Sequence, residues 1–117
     1  MQSQLQEMQQ IIRQFCEERD WNQFHSPKDL AIGISTEAAE LLDIFRFKSD
    51  GQIQQLLAQA ESRKKIEHEL ADVFFFVLRF AERNGVDLRH ALQTKMQLNA
   101  EKYPVATSRG SNKKYNE

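Results

Sequence analysis

Apolar residues return at Leu5, Met8, Ile11, Ile12 and Phe15, while the positions between them are glutamine, glutamate and arginine. Spacings of three and four mark one face of a helix, which predicts a helix over residues 3–19. The repeat breaks across "RDWNQFHSPKD". There Ser26 is a natural N-cap, Pro27 suits the first helical position and Asp29 the third. A second helix is predicted from Pro27 to Phe47, with Gly51 of "KSDG" as its stop. Residues 52–60 predict a short, glutamine-rich helix. A third long helix is predicted from Ser62 to Arg83, closed by Asn84-Gly85, and a fourth from the cap Asp87 to Tyr103, closed by Pro104. Two prolines and four glycines are few interruptions for 117 residues. The expected fold is all-α: a four-to-five-helix bundle in one domain over residues 1–104, then a polar, flexible tail over 105–117.

Two of these helices carry acids where an apolar residue is expected. In "ISTEAAELLDIF" Glu37 falls between Ile44 and Leu30, within about 20° of each on a helical wheel, and Glu40 lies at the edge of the same face. In "HELADVFFFVLRF" Glu69 falls between Phe76 and Phe80, and Asp72 lies just beyond the edge, beside Phe76. Ile66, Leu70, Val73 and Val77 complete that apolar arc, and Phe75 is expected on the outward side. A single E-x-x-E is ordinarily solvated surface. Lys65 is placed to neutralise Glu69, and Arg79 lies on the side of Asp72. Glu37, however, has only Gly33, Ile34, Glu40 and Leu41 at three or four residues' distance, and none is cationic. If the two helices pack through their apolar faces, four carboxylates converge. Such a cluster needs a counter-charge. An all-oxygen donor set suits Mg²⁺, with Mn²⁺ as substitute, and Mg²⁺ commonly shares its coordination with phosphates.

The remaining polar residues extend that reading. On the fourth helix Leu88, Leu92, Lys95, Asn99 and Lys102 share one side. Lys95 and Asn99 are candidates for phosphate oxygens, although a lysine there also snorkels readily to solvent. Trp21, Phe24 and His25 precede the second helix, as a hydrophobic staple or as a surface for a nucleobase. The net charge of −1 gives no general attraction to nucleic acid or membrane. The single cysteine, Cys16, forms no internal disulfide, in keeping with a reducing compartment. The first residues lack a basic-then-apolar leader, and no apolar run approaches the ~20 residues of a membrane span. A cytoplasmic protein is expected.

"EAAE" followed 28 residues later by "ELAD" resembles the E-x-x-E…E-x-x-D signature of the MazG-like, all-α nucleoside triphosphate pyrophosphohydrolases. The stretches "ERDWNQFHSPKDLAIGISTEAAELLDIFRFKSDG" and "ELADVFFFVLRFAERNGVDLRHALQTKMQLNAEKYP", with the closing "KKY", resemble the dCTP pyrophosphatase branch. The resemblance implies hydrolysis of a (deoxy)nucleoside triphosphate, dCTP-like or non-standard, to the monophosphate and pyrophosphate, as nucleotide-pool house-cleaning. It implies Glu37, Glu40, Glu69 and Asp72 as catalytic Mg²⁺ ligands, and Lys95 and Asn99, with Lys102, on the phosphates. It places Trp21 and His25 at the base, and implies a homodimer or dimer of dimers. Phe47 stands where the branch carries a second tryptophan, and Phe76 where it carries a tyrosine. Both belong to the expected substrate site and bear on base selectivity. Two other readings of the residues stand beside this one. A non-catalytic, antitoxin-like interaction module would need no cation. A di-metal carboxylate bundle would want Glu-x-x-His pairs, and neither acid pair has its histidine.

Overall fold

Five of the six helices start where the chain supplies an acceptor or a proline for their first turn. Ser3 Oγ accepts from the Gln6 amide at 3.2 Å while Gln6 Oε1 accepts from the Ser3 amide at 2.9 Å, a reciprocal cap that opens α1 (Gln4–Glu18). Ser26 Oγ accepts from the Asp29 amide at 3.1 Å and opens α2 (Pro27–Phe45), with Pro27 in its first turn. Ser49 and Gln52 form a second reciprocal cap at the start of α3 (Asp50–Ala58). Asp87 Oδ1 accepts from the His90 amide and opens α5 (Leu88–Lys102). Pro104 precedes the single turn of α6 (Val105–Ser108). Between α3 and α5 lies the longest helix, α4 (Ala60–Asn84). It has no side-chain cap of its own. Instead Ser62 Oγ and Arg63 Nη1 donate back to the carbonyls of Leu56 and Leu57, satisfying the end of α3. Gly85, with φ of 65°, closes α4 in the left-handed conformation that glycine adopts without strain. A 3-10 turn over Asn22–Phe24 joins α1 to α2. The structure describes all residues from Met1 to Glu117 in a computed structural model, with no strand anywhere.

The second helix ends early, at Phe45, the next two helices each start two residues sooner than expected, and α6 forms in the stretch read as tail. Gly51 does not stop α2; it lies inside the first turn of α3. The Ser49–Gln52 cap starts α3 early, so the chain must turn before Ser49. Phe47 makes that turn at φ of 61°, a conformation costly for an aromatic residue.

Two compact units divide the chain, Met1–Gly85 and Val86–Glu117. In the first, α4 is central: α2 runs along it, and α1 and α3 pack against it elsewhere. Cys16, Leu30, Ile66, Leu78 and Ala81 are the buried apolar residues. The single apolar arc expected on α4 needs correction. Leu70 is 56% exposed, whereas Phe75, expected to face outward, is half-buried and walls a cavity with residues of α1. The reason is that α1, α2 and α3 all pack on α4, so more than one stripe of it is covered, while the face of Leu70 and Phe74 is left open. In the second unit the tail returns to the end of α5. Tyr115 meets Tyr103 edge-on at 6.0 Å, and Lys102 Nζ lies 4.9 Å from the Tyr115 ring centre. No helix is long and apolar enough to cross a membrane.

Candidate functional site

The packing of α2 on α4 brings the acid pairs together. One carboxylate oxygen from each of Glu37, Glu40 and Glu69 lies within 4.8 Å of the others. Asp72, one turn along from Glu69, is not in that group of three; with Glu37 it walls a cavity of about 500 Å³. No histidine or cysteine belongs to the cluster. None of the ion pairs in the molecule involves any of the four acids. Glu37 Oε2 and Glu69 Oε2 are buried and have no hydrogen-bond partner. Orphaned buried carboxylate oxygens are costly, and these two lie in one cluster.

The cost is visible in their affinity for protons. Glu37 is pushed from the ordinary 4.5 to about 7, first by burial, then by the adjoining Glu40 and the charges of Asp72 and Glu69. Glu69 is raised as well, again by burial first and then by Glu40 and Asp72, with Lys65 opposing. A hard, oxygen-seeking divalent cation fits this donor set and would satisfy both orphaned atoms.

These shifts predict a pH dependence. Glu37 holds its proton more tightly in the folded chain than in the unfolded one. Its contribution is therefore complete below about pH 4.5 and drains away as pH rises toward 7. His25 acts in the opposite sense, because burial and Arg79 lower its affinity for protons. The comparison that isolates Glu37 is with Glu37→Gln. The Tm advantage of that variant over the metal-free wild type is expected to grow between pH 5 and 7.5. A gap that is constant or shrinks contradicts the raised carboxyl. Added Mg²⁺ is expected to raise the wild-type Tm more at pH 7.5 than at pH 5, since the cation competes with the protons.

Beyond the acids, the cavity is apolar. Ile11, Ile12 and Phe15 come from α1, Trp21 from the connection, and Phe75 and Phe76 from α4. Trp21 is 37% exposed and meets the Phe15 ring edge-on at 5.5 Å. Trp21 and Phe76 thus line the same cavity as Glu37 and Asp72. His25 does not line the cavity; it stands behind Trp21, their ring centres 6.1 Å apart. Phe47 does not line it either. It is 92% exposed, with Arg46 over its ring at 4.6 Å.

Arg79 does not pair with Asp72. Its guanidinium, fully buried, donates to His25 Nδ1 at 3.0 Å, to Glu82 Oε2 at 2.7 Å and to Asn22 Oδ1. Glu82 in turn accepts from Arg13 of α1 at 2.9 Å. Because Arg79 has only donors, His25 Nδ1 must be the acceptor, and the histidine's proton sits on Nε2. Sequence reasoning missed this knot, although an arginine within "FFFVLRFAER" is itself a signal. It also missed Ile11, Ile12, Phe15 and Phe75 as cavity walls. Their helical spacing reads equally well as core.

In the second unit Lys95 and Lys102 are exposed and Asn99 is half-buried, its Nδ2 4.0 Å from Met96 Sδ. Six lysines and arginines face three acids over residues 86–117, against ten and fourteen over 1–85.

Residues 32–117 match the MazG-like family. The chain belongs to that family. The MazG-like chain is 38% identical over 111 residues to dCTP pyrophosphatase 1 of Rattus norvegicus, covering 95% of this chain and 65% of the relative. It is 34% identical to dCTP pyrophosphatase 1 of Homo sapiens, covering 97% of this chain and 66% of that one. It thus spans about 65% of the length of these curated relatives. Among solved structures, a pyrophosphatase from Archaeoglobus fulgidus superposes on it with a TM-score of 0.81 at 33% identity. That match covers 89% of this chain and 95% of the other.

Proposed function

We propose that this chain is a Mg²⁺-dependent nucleoside triphosphate pyrophosphohydrolase, acting on a dCTP-like or non-standard deoxynucleoside triphosphate. The observation that carries the reading is the unpaired carboxylate cluster opening into an apolar cavity beside Trp21. The names of the relatives support the same activity. Glu37, Glu40, Glu69 and Asp72 would hold the cation, which supplies charge neutralisation at the phosphoryl oxygens and a more acidic bound water.

The chain's own residues do the rest. Trp21 offers a π-face to the base, and the aliphatic and phenyl walls exclude water around it. The acids, themselves anionic, would hold the triphosphate only through the cation, leaving the α-phosphorus open to attack by water. The bond from the α-phosphorus to the α–β bridging oxygen breaks, pyrophosphate leaves, and the proton of the water passes to a glutamate oxygen. Glu40 and Glu37 are the candidates, through an oxygen not taken up by the cation. Lys95, Asn99 and Lys102, with Lys113 and Lys114, supply donors and positive charge for the phosphates.

The active form is proposed as a homodimer or homotetramer. Leu70 and Phe74 on α4 are large, exposed and adjacent along one face, and such patches mark contacts between chains. A screen of normal and modified dNTPs and NTPs with Mg²⁺, products identified by mass, tests the reaction, and sedimentation tests the assembly. Monophosphate plus pyrophosphate is expected, from a species larger than a monomer. Stepwise release of orthophosphate would reassign the chemistry, and a monomer with full activity would remove the assembly.

A further inference from the structure

Gly33 is buried on α2, one turn before Glu37, and faces Phe76 of α4. A Cβ built there would lie 2.5 Å from both Cδ1 and Cε1 of Phe76 and 2.8 Å from its Cγ. These distances are far inside the ~3.5–4.0 Å of ordinary carbon contact. The Phe76 ring therefore rests directly on the α2 backbone, in space that any side chain at position 33 would take. On its other side Phe76 forms part of the wall of the apolar cavity, and Phe75 meets it edge-on at 5.1 Å. Closely packed surroundings leave a displaced ring few places to go. The open direction is the cavity itself, toward Trp21 and the carboxylates of Glu37 and Asp72.

We propose that Gly33 is a specificity-determining position of this site: by lacking a side chain it lets Phe76 lie back on α2, and so sets how large a base the cavity admits. Gly33 touches no substrate and acts through Phe76. The proposal rests on the pyrophosphohydrolase reading for its substrate, but not for its packing.

The test has two arms. The first is a stability cycle on the full chain with Gly33→Ala, Phe76→Ala and the double variant, and it needs no activity. Gly33→Ala is expected to lower Tm in the wild-type background and to change it little in the Phe76→Ala background, where the Cγ, Cδ1 and Cε1 atoms that a Cβ would meet are gone. Additive losses would overturn the contact. The second arm measures KM and kcat with Mg²⁺ on a series of triphosphates of one pyrimidine carrying hydrogen, methyl or bromine at ring C5. Gly33→Ala is expected to raise KM modestly for the hydrogen compound and about tenfold or more for the bromine compound, with kcat within threefold. Adding Phe76→Ala is expected to remove the extra KM penalty on the bromine compound. An equal KM rise across the series would overturn size selection. So would a loss of Mn²⁺ affinity that accounts for the change, because it would mean that α2 and α4 had separated. If wild type hydrolyses none of the series, the substrate reading fails and size selection fails with it, while the stability cycle still decides the contact.

Discussion

Glu37→Gln and Glu69→Gln are expected to lose activity and gain stability at once. Each replaces an orphaned, buried carboxylate oxygen by a neutral group of the same shape. Turnover with Mg²⁺ should fall about a thousandfold, the scale expected when a preorganised charge is removed from a phosphoryl-transfer site. The metal-free Tm should rise by several degrees at pH 7.5, because one of several mutually repelling charges is gone. Glu40→Ala and Asp72→Ala are expected to abolish turnover while leaving the helical fold. The joint signature separates a functional cluster from a structural one. Carboxylates that served the fold would destabilise it on removal, since they would have had partners. A variant that keeps wild-type turnover removes its residue from the site. One that loses both activity and stability shows that its acid holds the helices together.

The second large effect is expected at Arg79. Arg79→Met should destabilise the chain by about 3 kcal/mol, the cost of breaking a buried charged network from one side. For a domain of this size that corresponds to ~15 °C in Tm. The substitution strands the acceptors His25 Nδ1 and Asn22 Oδ1, while Glu82 keeps Arg13. These acceptors sit on the connection that carries Trp21, the only tryptophan in the chain, so its fluorescence reports on the loop directly. A red shift in emission and a higher KM are expected together. Arg79→Lys keeps the charge but not the three-way fork, and should fall between Met and wild type. Unchanged Tm and emission in Arg79→Met would show that α1 and the 3-10 turn hold Trp21 without it.

Helix starts were readable because their causes are local. A serine or aspartate three residues before an amide makes its hydrogen bond within one turn, whatever the rest of the chain does. The caps at Ser26 and Asp87 and the stop at Gly85 all lie where the pattern placed them. Gly51 failed as a stop because a neighbouring cap at Ser49 competed for the same residues and won. The buried acids were readable because a charge within an apolar arc conflicts with burial, and the conflict is visible in one helix alone.

What the chain determined by itself is therefore the five longer helices, most of their starts and stops, and the two acid pairs facing a helical neighbour, but not the turn of α6. Only the tertiary structure decided that α1 would close the other side of α4, turning Phe75 and the α1 apolar residues into a cavity. It likewise decided that Arg79 would turn to His25 and Asn22 instead of Asp72, and that an absent side chain at Gly33 would seat Phe76. Caps and periodicity act over one or two turns of backbone. Cavity walls, a three-way hydrogen-bond knot and the distance between two helices depend on residues far apart in sequence, whose meeting no local pattern encodes.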